Sequence, residues 1–380
     1  MIPQQLVEPG LAHVSQAGDG SMNNEQVWAG LDLGLRRTHV CVVDSEGVVV
    51  HEEDCETGLH AIGSALNAFP MVSLGLVAVE AGSDTHIVRK LRCAGYPVAI
   101  FEARKASRFL AVRRNKTDAS DARGLADLAR IGRNTISQVY LKSPDCERLR
   151  GTVVMRKRVV LLRVIAEGVL RSRLRLHGQV LKRARGASGA RPQVEAILTQ
   201  IKADEAIDLS AELGPLLDLS DSLTAYLKQL NSEIEARAKS NEVCRLLMEV
   251  AGVGPVCAVS FYTAIEDPSR FARVSDVAAY LGLVPRRYQS GEVSRTHGIT
   301  KNGSKLTRTH LVTAAMVFAR HGPDCALKEW YAALSERVGS KRARVALARK
   351  LAIVLLSMWK NNAHFEPYPT ARLPELSIAS

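Results

Sequence analysis

Aromatic residues are scarce. Phe, Trp and Tyr together make up 5% of the 380-residue chain. A surface that stacks successive bases needs such rings, so an extended base-stacking platform is not expected. Cysteine offers no framework either. The seven cysteines are odd in number and scattered, with no Cys-x-x-Cys pair. This argues against a disulfide scaffold or a zinc site and for a reducing, cytoplasmic compartment. Long apolar runs are missing. The longest, 351–359, is far short of the ~20 residues that span a bilayer. Residues 1–24 lack the apolar segment of a secretion signal; rich in Gly, Ser, Asn and Gln, they are expected to be a disordered tail. No Walker-type phosphate loop and no internal repeat is present. The expectation is a soluble chain of two or three domains, with 46% hydrophobic residues to build their cores.

Acidic residues are missing from one place in particular. Between 148 and 191 the chain carries thirteen Lys and Arg and one acid, Glu167. That segment nets +12, the formal charge of the whole chain, so the remainder sums to zero. A charge excess confined to one segment points to a polyanionic partner. The plainer alternative is a solvated helix face, on which acids would normally interleave.

The N-terminal part begins with three strand-like runs, 27–32, 38–43 and 48–52, joined by short glycine-containing links. A helix at 58–69, an apolar strand at 74–79, a helix at 85–93 and a strand at 97–101 follow. Helices at 103–110 and 120–131 flank the basic loop RRNKTD. Three antiparallel strands followed by alternating helix and strand is the order of an RNase H-like mixed sheet. Pro144 suits a helix start. Beyond it, Leu162, Ile165, Val169 and Leu176 keep 3–4 spacing, supplemented by Ala166, Leu170, Val180 and Leu181. A second amphipathic helix spans about 215–247, with Leu216, Leu219, Leu223, Tyr226, Leu230 and Ile234 in register. Residues 184–192 form the loop between them. The pair suggests a coiled-coil hairpin, its stripes buried against each other or between two chains. From Cys244 onward the chain reads as helix, glycine turn, helix. The turn Gly252-Val253-Gly254-Pro255 fits a helix-hairpin-helix whose backbone N–H groups hold a phosphate; an ordinary helix connection fits equally well. Helices at 271–281, 306–320 and 326–361 complete the chain, with a Gly- and Pro-punctuated loop after 281. The expected fold is α/β plus all-α. Its divisions are a tail at 1–24, the sheet domain at 25–141, the basic helical region at 142–245, a mainly helical domain at 246–365 and a tail at 366–380.

Four carboxylates stand where strand ends and loops converge: Asp32, Glu80, Asp118 and Asp121. An unpaired carboxylate is costly to take out of water, and clustered carboxylates repel unless a cation neutralises them. Hard oxygen donors with no His or Cys nearby indicate Mg²⁺, which polarises a phosphodiester. Each acid has a plainer reading. Asp118 and Asp121 suit the first turn of a helix, and Glu80 could cap the helix that follows it. Asp32, with apolar flanks, is hardest to explain away. A metal-dependent junction-resolving endonuclease using water as nucleophile would need this set alone.

These residues resemble the transposases of insertion-sequence family 110, which include the Piv-type DNA invertases. Asp32 in GLDLG, Glu80 in VEAGS, and Asp118 and Asp121 in NKTDASDA match that family's RuvC-like Asp-Glu-Asp-Asp domain. AGVGPVCAVSF, AAYLGLVPRRYQSGE and GITKNGSKLTRTHLV match its second signature. The resemblance covers about residues 25–320. It implies a recombinase that moves an insertion sequence through a covalent phosphoserine–DNA link, with Mg²⁺ held by the four acids. By motif position the nucleophile is Ser290. Gln289 stands where relatives often carry a second serine, and Ser294 and Ser304 are weaker candidates. Some members are guided by a structured noncoding bridge RNA and assemble as dimers of dimers. The implied partners are therefore double-stranded DNA, such an RNA and further copies of the chain. Backbone contacts are expected from Arg113, Arg114 and Lys116, from Arg156, Lys157, Arg158, Arg163, Arg171, Arg173 and Arg175, and from Gly252 and Gly254. Arg286, Arg287, Lys301, Lys305 and Arg308 complete that set.

Overall fold

The computed structural model describes residues 26–82, 85–103, 106–107, 118–131, 138–182, 189–290 and 293–368, the side chains of 287–297 excepted. The expected tail at 1–24 lies outside them, as do Arg113, Arg114 and Lys116 and the side chains of Arg287, Ser290 and Ser294. The chain divides into two units, 1–141 and 142–380.

The first unit is a five-stranded mixed sheet. Its strands are β1 (Val27–Leu33), β2 (Arg37–Val43), β3 (Val49–Glu56), β4 (Leu74–Glu80) and β5 (Val98–Phe101). Their order is β3-β2-β1-β4-β5. β1 and β3 flank β2 antiparallel, while β4 runs parallel to both β1 and β5. Alternation in the strands sends side chains to opposite faces. Ala29, Leu31, Val40, Val42, Val77 and Val79 pack on one face against α1 (Leu59–Leu66) and α2 (Thr85–Cys93). The other face carries Trp28, Cys41, Val43, Leu76, Ala78, Ala99 and Phe101, and is covered by α3 (Asp118–Ile131). β3 runs four residues further than expected, to Glu56. It is an edge strand with mostly exposed side chains, where charge is tolerated and discourages pairing with another chain.

The second unit is mainly helical. α4 (Pro144–Arg175) starts where Ser143 Oγ accepts the Cys146 N–H at 3.2 Å and Pro144 fills the first turn. α5 (Arg191–Glu205) occupies part of the stretch expected to be connector. α6 (Ser210–Ser240) and α7 (Glu242–Leu247) replace a single expected helix, because Asn241 leaves the helical conformation to cap α7. Next come α8 (Pro255–Ile265), the short α9 (Asp276–Tyr280) and a hairpin of β6 (Pro285–Ser290) and β7 (Val293–Ile299). That hairpin lies within the stretch expected to be a loop. α10 (Lys305–His321), α11 (Ala326–Val338) and α12 (Ser340–Asn361) close the unit, the last two separated at Gly339. Ile234 and Ala238 of α6 share one core with Phe261, Leu281, Phe318, Leu351 and Leu355. Among the described residues, no helix is long and apolar enough to cross a membrane.

The α4–α6 pairing buries a different stripe from the most regular one. Val159 packs with Leu227 and Leu230, while Leu170 and Leu174 pack with α5 and with Leu213 and Leu217. Met155, Leu162, Val169 and Leu176, each seven residues apart, stay 47–72% exposed, with Ile165 between them. Leu219 and Tyr226 of α6 are also exposed and seven apart.

Candidate active site

β1 delivers Asp32, and the packing of α3 decides what meets it. Gly30 leaves no room between strand and helix. A Cβ there would stand 2.1 Å from the Ala122 carbonyl oxygen and 2.3 Å from the Ala126 nitrogen. Trp28, two residues earlier on the same face, packs on Leu125, Ala126, Leu128 and Ala129. The helix therefore runs opposite to the strand, and its first turn lies toward the Asp32 end. That turn carries Asp118 and Asp121, where the helix dipole favours anions.

Glu80 comes to the same place from β4. The parallel β1–β4 register runs to Leu31 opposite Val79, and Asp32 and Glu80 are the next residue of each strand. Glu80 pairs with Phe101, whose side chain lies on the α3 side of the sheet. Asp32, Glu80, Asp118 and Asp121 thus share one end of one sheet face. They are half-buried, except for the exposed Asp118.

The placement and the donor chemistry, carboxylate oxygen throughout, fit a hard divalent cation. The side chains are not drawn round a common point. Among the described residues, no three His, Cys, Asp or Glu are gathered closely enough to hold a metal ion.

The expectation that no histidine stands near this site is corrected. His39 of β2 is the cross-strand partner of Asp32. Its Nε2 lies 3.1 Å from Glu52 Oε1 on β3. The tight link from Gly34 to Arg37, where the Gly34 N–H donates to the Arg37 carbonyl, sets that register. The turn was visible in the sequence; the pairing it imposes was not read from it.

Ser290 is the last residue of β6, with its backbone paired to Val293. The base of this hairpin is tied by Arg308 of α10. Arg308 is 8% exposed. Its Nη1 donates to the carbonyls of Leu281 at 2.9 Å, Asn302 and Gly303. Arg308 therefore departs from the expected surface contact, because its guanidinium is taken up by the crossover beneath β6 and β7. Ser304, a weaker nucleophile candidate, caps α10 by accepting the Thr307 N–H at 3.2 Å.

The basic helix divides in the same way. Arg163 and Arg171 flank the buried Glu167 at 3.5 and 3.8 Å. Arg173 grips Glu212 in a fork of 2.5 and 2.9 Å, and Arg156 Nε donates to Asn231 Oδ1 at 2.6 Å. Arg156 and Arg173 tie α4 to α6, while Arg163 and Arg171 pair within α4 itself. Lys157, Arg158 and Arg175 are exposed and, among the described residues, make no ion pair. Arg286, Lys301 and Lys305 are exposed as well. Gly252 has a packing cause: at φ +83°, a Cβ would lie 2.6 Å from the Ala314 carbonyl oxygen of α10. Gly254, at the start of α8, faces open space.

Comparison with known proteins finds two family models in order along the chain. A family model for DEDD transposases of the IS110 type matches residues 29–178, and the model for the transposase IS116/IS110/IS902 family matches residues 244–331. A probable family 20 transposase of Pseudomonas aeruginosa is 30% identical, over 89% of this chain and 98% of that protein. The transposase for insertion sequence element IS1111A of Coxiella burnetii is 28% identical, over 87% of this chain and 88% of its own. The pilin gene-inverting protein of Moraxella bovis is 27% identical over 39% of this chain and 46% of its own. With two models matching in order and a full-length relative at that identity, the chain belongs to the IS110 family of insertion-sequence transposases.

Proposed function

We propose that this transposase cuts and rejoins DNA by transesterification, with Ser290 as nucleophile and the acids of the sheet domain as a divalent-metal site. The observation that carries the reading is the convergence of Asp32, Glu80 and the first turn of α3 at one end of one sheet face. The strand order supports reading that sheet as an RNase H-like, RuvC-like core. A bound Mg²⁺ would supply charge neutralisation and polarise the scissile phosphate. Asp32, Glu80, Asp118 and Asp121 would hold it, and the cations Arg286, Lys301 and Lys305 would position the strand through its phosphates.

The step balances without an external energy source. Ser290 Oγ loses its proton and forms a bond to phosphorus as a bond from phosphorus to a sugar oxygen breaks. That sugar oxygen takes up a proton, and the reverse step reseals the strand. The phosphodiester energy is conserved in the serine ester. We further read target choice as belonging to a structured guide RNA, in keeping with the scarcity of aromatic platforms and recognition modules. The protein's self-association is assigned to the exposed heptad seam of α4, which a second copy would cover in a coiled coil, giving dimers and then tetramers.

The test is to trap the reaction under denaturing conditions with labelled element-end DNA and, where needed, the RNA that copurifies with the protein. A covalent adduct mapping to Ser290 and missing from Ser290→Ala is expected. An adduct that persists in Ser290→Ala overturns the nucleophile. Cleavage without any adduct would favour water as nucleophile and a junction-resolving endonuclease.

A further inference from the structure

A second basic surface lies outside both the hairpin and α4. From residue 337 to 365 the chain has seven Lys and Arg and no Asp or Glu. The fold uses three of these seven. Lys350 sits over the Trp330 ring with its Nζ 4.5 Å from the centroid, Arg349 is half-buried, and Lys360 donates to the Phe271 carbonyl at 2.6 Å. The other four are Arg337 at the end of α11 and Lys341, Arg342 and Arg344 in the first turns of α12. All but the half-buried Arg344 are exposed. None of the four makes an ion pair among the described residues, although Glu336 adjoins Arg337 in sequence. Glu329, the other acid of α11, accepts from Tyr368 at 2.8 Å.

Arg337, in the last turn of α11, suits its helix dipole, but local stability does not explain those of α12. The first turn of α12 has no acid and no side-chain cap. Cations there oppose the helix dipole. Lys341 and Arg342 are kept where they oppose their own helix dipole, on the face opposite the buried Ala343, Leu347 and Leu351, and Arg344 stands half-buried at the edge of that face; such a placement marks a functional surface.

We propose that the α11–α12 corner is a nucleic-acid backbone clamp, in which Arg337, Lys341, Arg342 and Arg344 bind phosphates without reading bases. It is independent of the serine and metal readings, since it acts in binding rather than cleavage. It is also separate from the cations of α4.

The test uses the full chain and two probes, a 40-bp DNA duplex of arbitrary sequence and a folded RNA of unrelated sequence. Each phosphate neutralised contributes about 0.9 to the salt slope of duplex binding. The variant K341Q/R342Q/R344Q is expected to lower that slope by about 2–3 and to weaken binding at 150 mM salt by roughly tenfold or more. The charge-preserving variant K341R/R342K/R344K should bind as the wild type does. Loss with the duplex assigns the clamp to DNA, loss with the RNA assigns it to RNA, and unchanged slopes with both probes overturn it. Should the triple variant unfold, the single variants K341Q and R342Q decide. Each should lower the slope by about 0.9, and two flat results would overturn the proposal.

Discussion

A β-carbon on Gly30 would lie 2.1 Å from the carbonyl oxygen of Ala122. Strand β1 and helix α3 therefore meet backbone to backbone, and the helix that begins with Asp118 and Asp121 is registered against the strand that ends near Asp32. Gly30→Ala must push α3 outward. Overpacking of this kind costs about 3 kcal/mol, which a thermal melt of the sheet domain's transition would report. Strand cleavage should fall further than the lost stability explains, since two acids move with the helix. A variant with normal melting and normal cleavage would show that this contact does not position the site.

Arg308 ties the crossover under the Ser290 hairpin. Replacing it with Met leaves three carbonyl oxygens without their buried cation. The Leu281 carbonyl is buried and loses its partner at a cost of ~1–3 kcal/mol, whereas those of the exposed Asn302 and Gly303 can turn to water. Amide hydrogen exchange across 285–299 should quicken in Arg308→Met, and Arg308→Lys should restore part of the protection. The salt slope of DNA binding should stay unchanged. A reduced slope with normal exchange would return Arg308 to the surface contacts.

The exposed seam of α4 predicts self-association. Leu162→Glu together with Val169→Glu places charge on side chains that are about half exposed in one chain, so the melting temperature of the single chain should hold. Sedimentation velocity should show the assembly shift to monomer. Persistence of the oligomer would place the interface elsewhere.

His310 sets a pH dependence. Burial, reinforced by Arg156 and Lys157, pulls its imidazole down to about 4, and its buried Nδ1 has no hydrogen-bond partner among the described residues. The folded pKa lies below the unfolded one. Above pH 6.5 both states are neutral and the group has no effect. As pH falls from 6.5 toward 4 the unfolded chain takes up the proton first, and stability falls by up to about 3 kcal/mol. Denaturant titrations at pH 7 and pH 4.5 should show this loss, and His310→Gln should lose less over the same range. Equal losses would mean that His310 is not the group responsible.

Much of this was legible in the sequence, for physical reasons that differ by element. β1 and β4 are apolar on both faces because helices cover both, so each reads as a continuous run that ends on its acid. The basic excess of α4 was equally plain. Its partners were not: Glu212 and Asn231 lie 39 and 75 residues from the arginines they bind, and no local pattern announces them. The β6–β7 hairpin was hidden because Arg286 and Thr296 break the apolar alternation that marks a strand. Helix α5 has Pro192 at its start and the spacing of Val194, Leu198 and Ile201, but its N-cap is Ala190 with no side-chain cap, so no capping residue marks where the neighbouring loop ends. His39 needed the hairpin register. The stripe at Leu162 and Val169 suits burial within one chain or between two and is exposed in the single chain, since heptad spacing records what a helix can bury and not in which chain.

The central claim is that four carboxylates at the end of β1, β4 and α3 act as one metal site. Titration calorimetry of the full chain with Mn²⁺ measures this without requiring a substrate. Asp32→Asn is expected to weaken binding at least tenfold, while Asp127→Asn, which alters an acid further along the same helix held near Arg130 at 3.6 Å, should bind as the wild type does. Equal affinity in Asp32→Asn and wild type would contradict the claim.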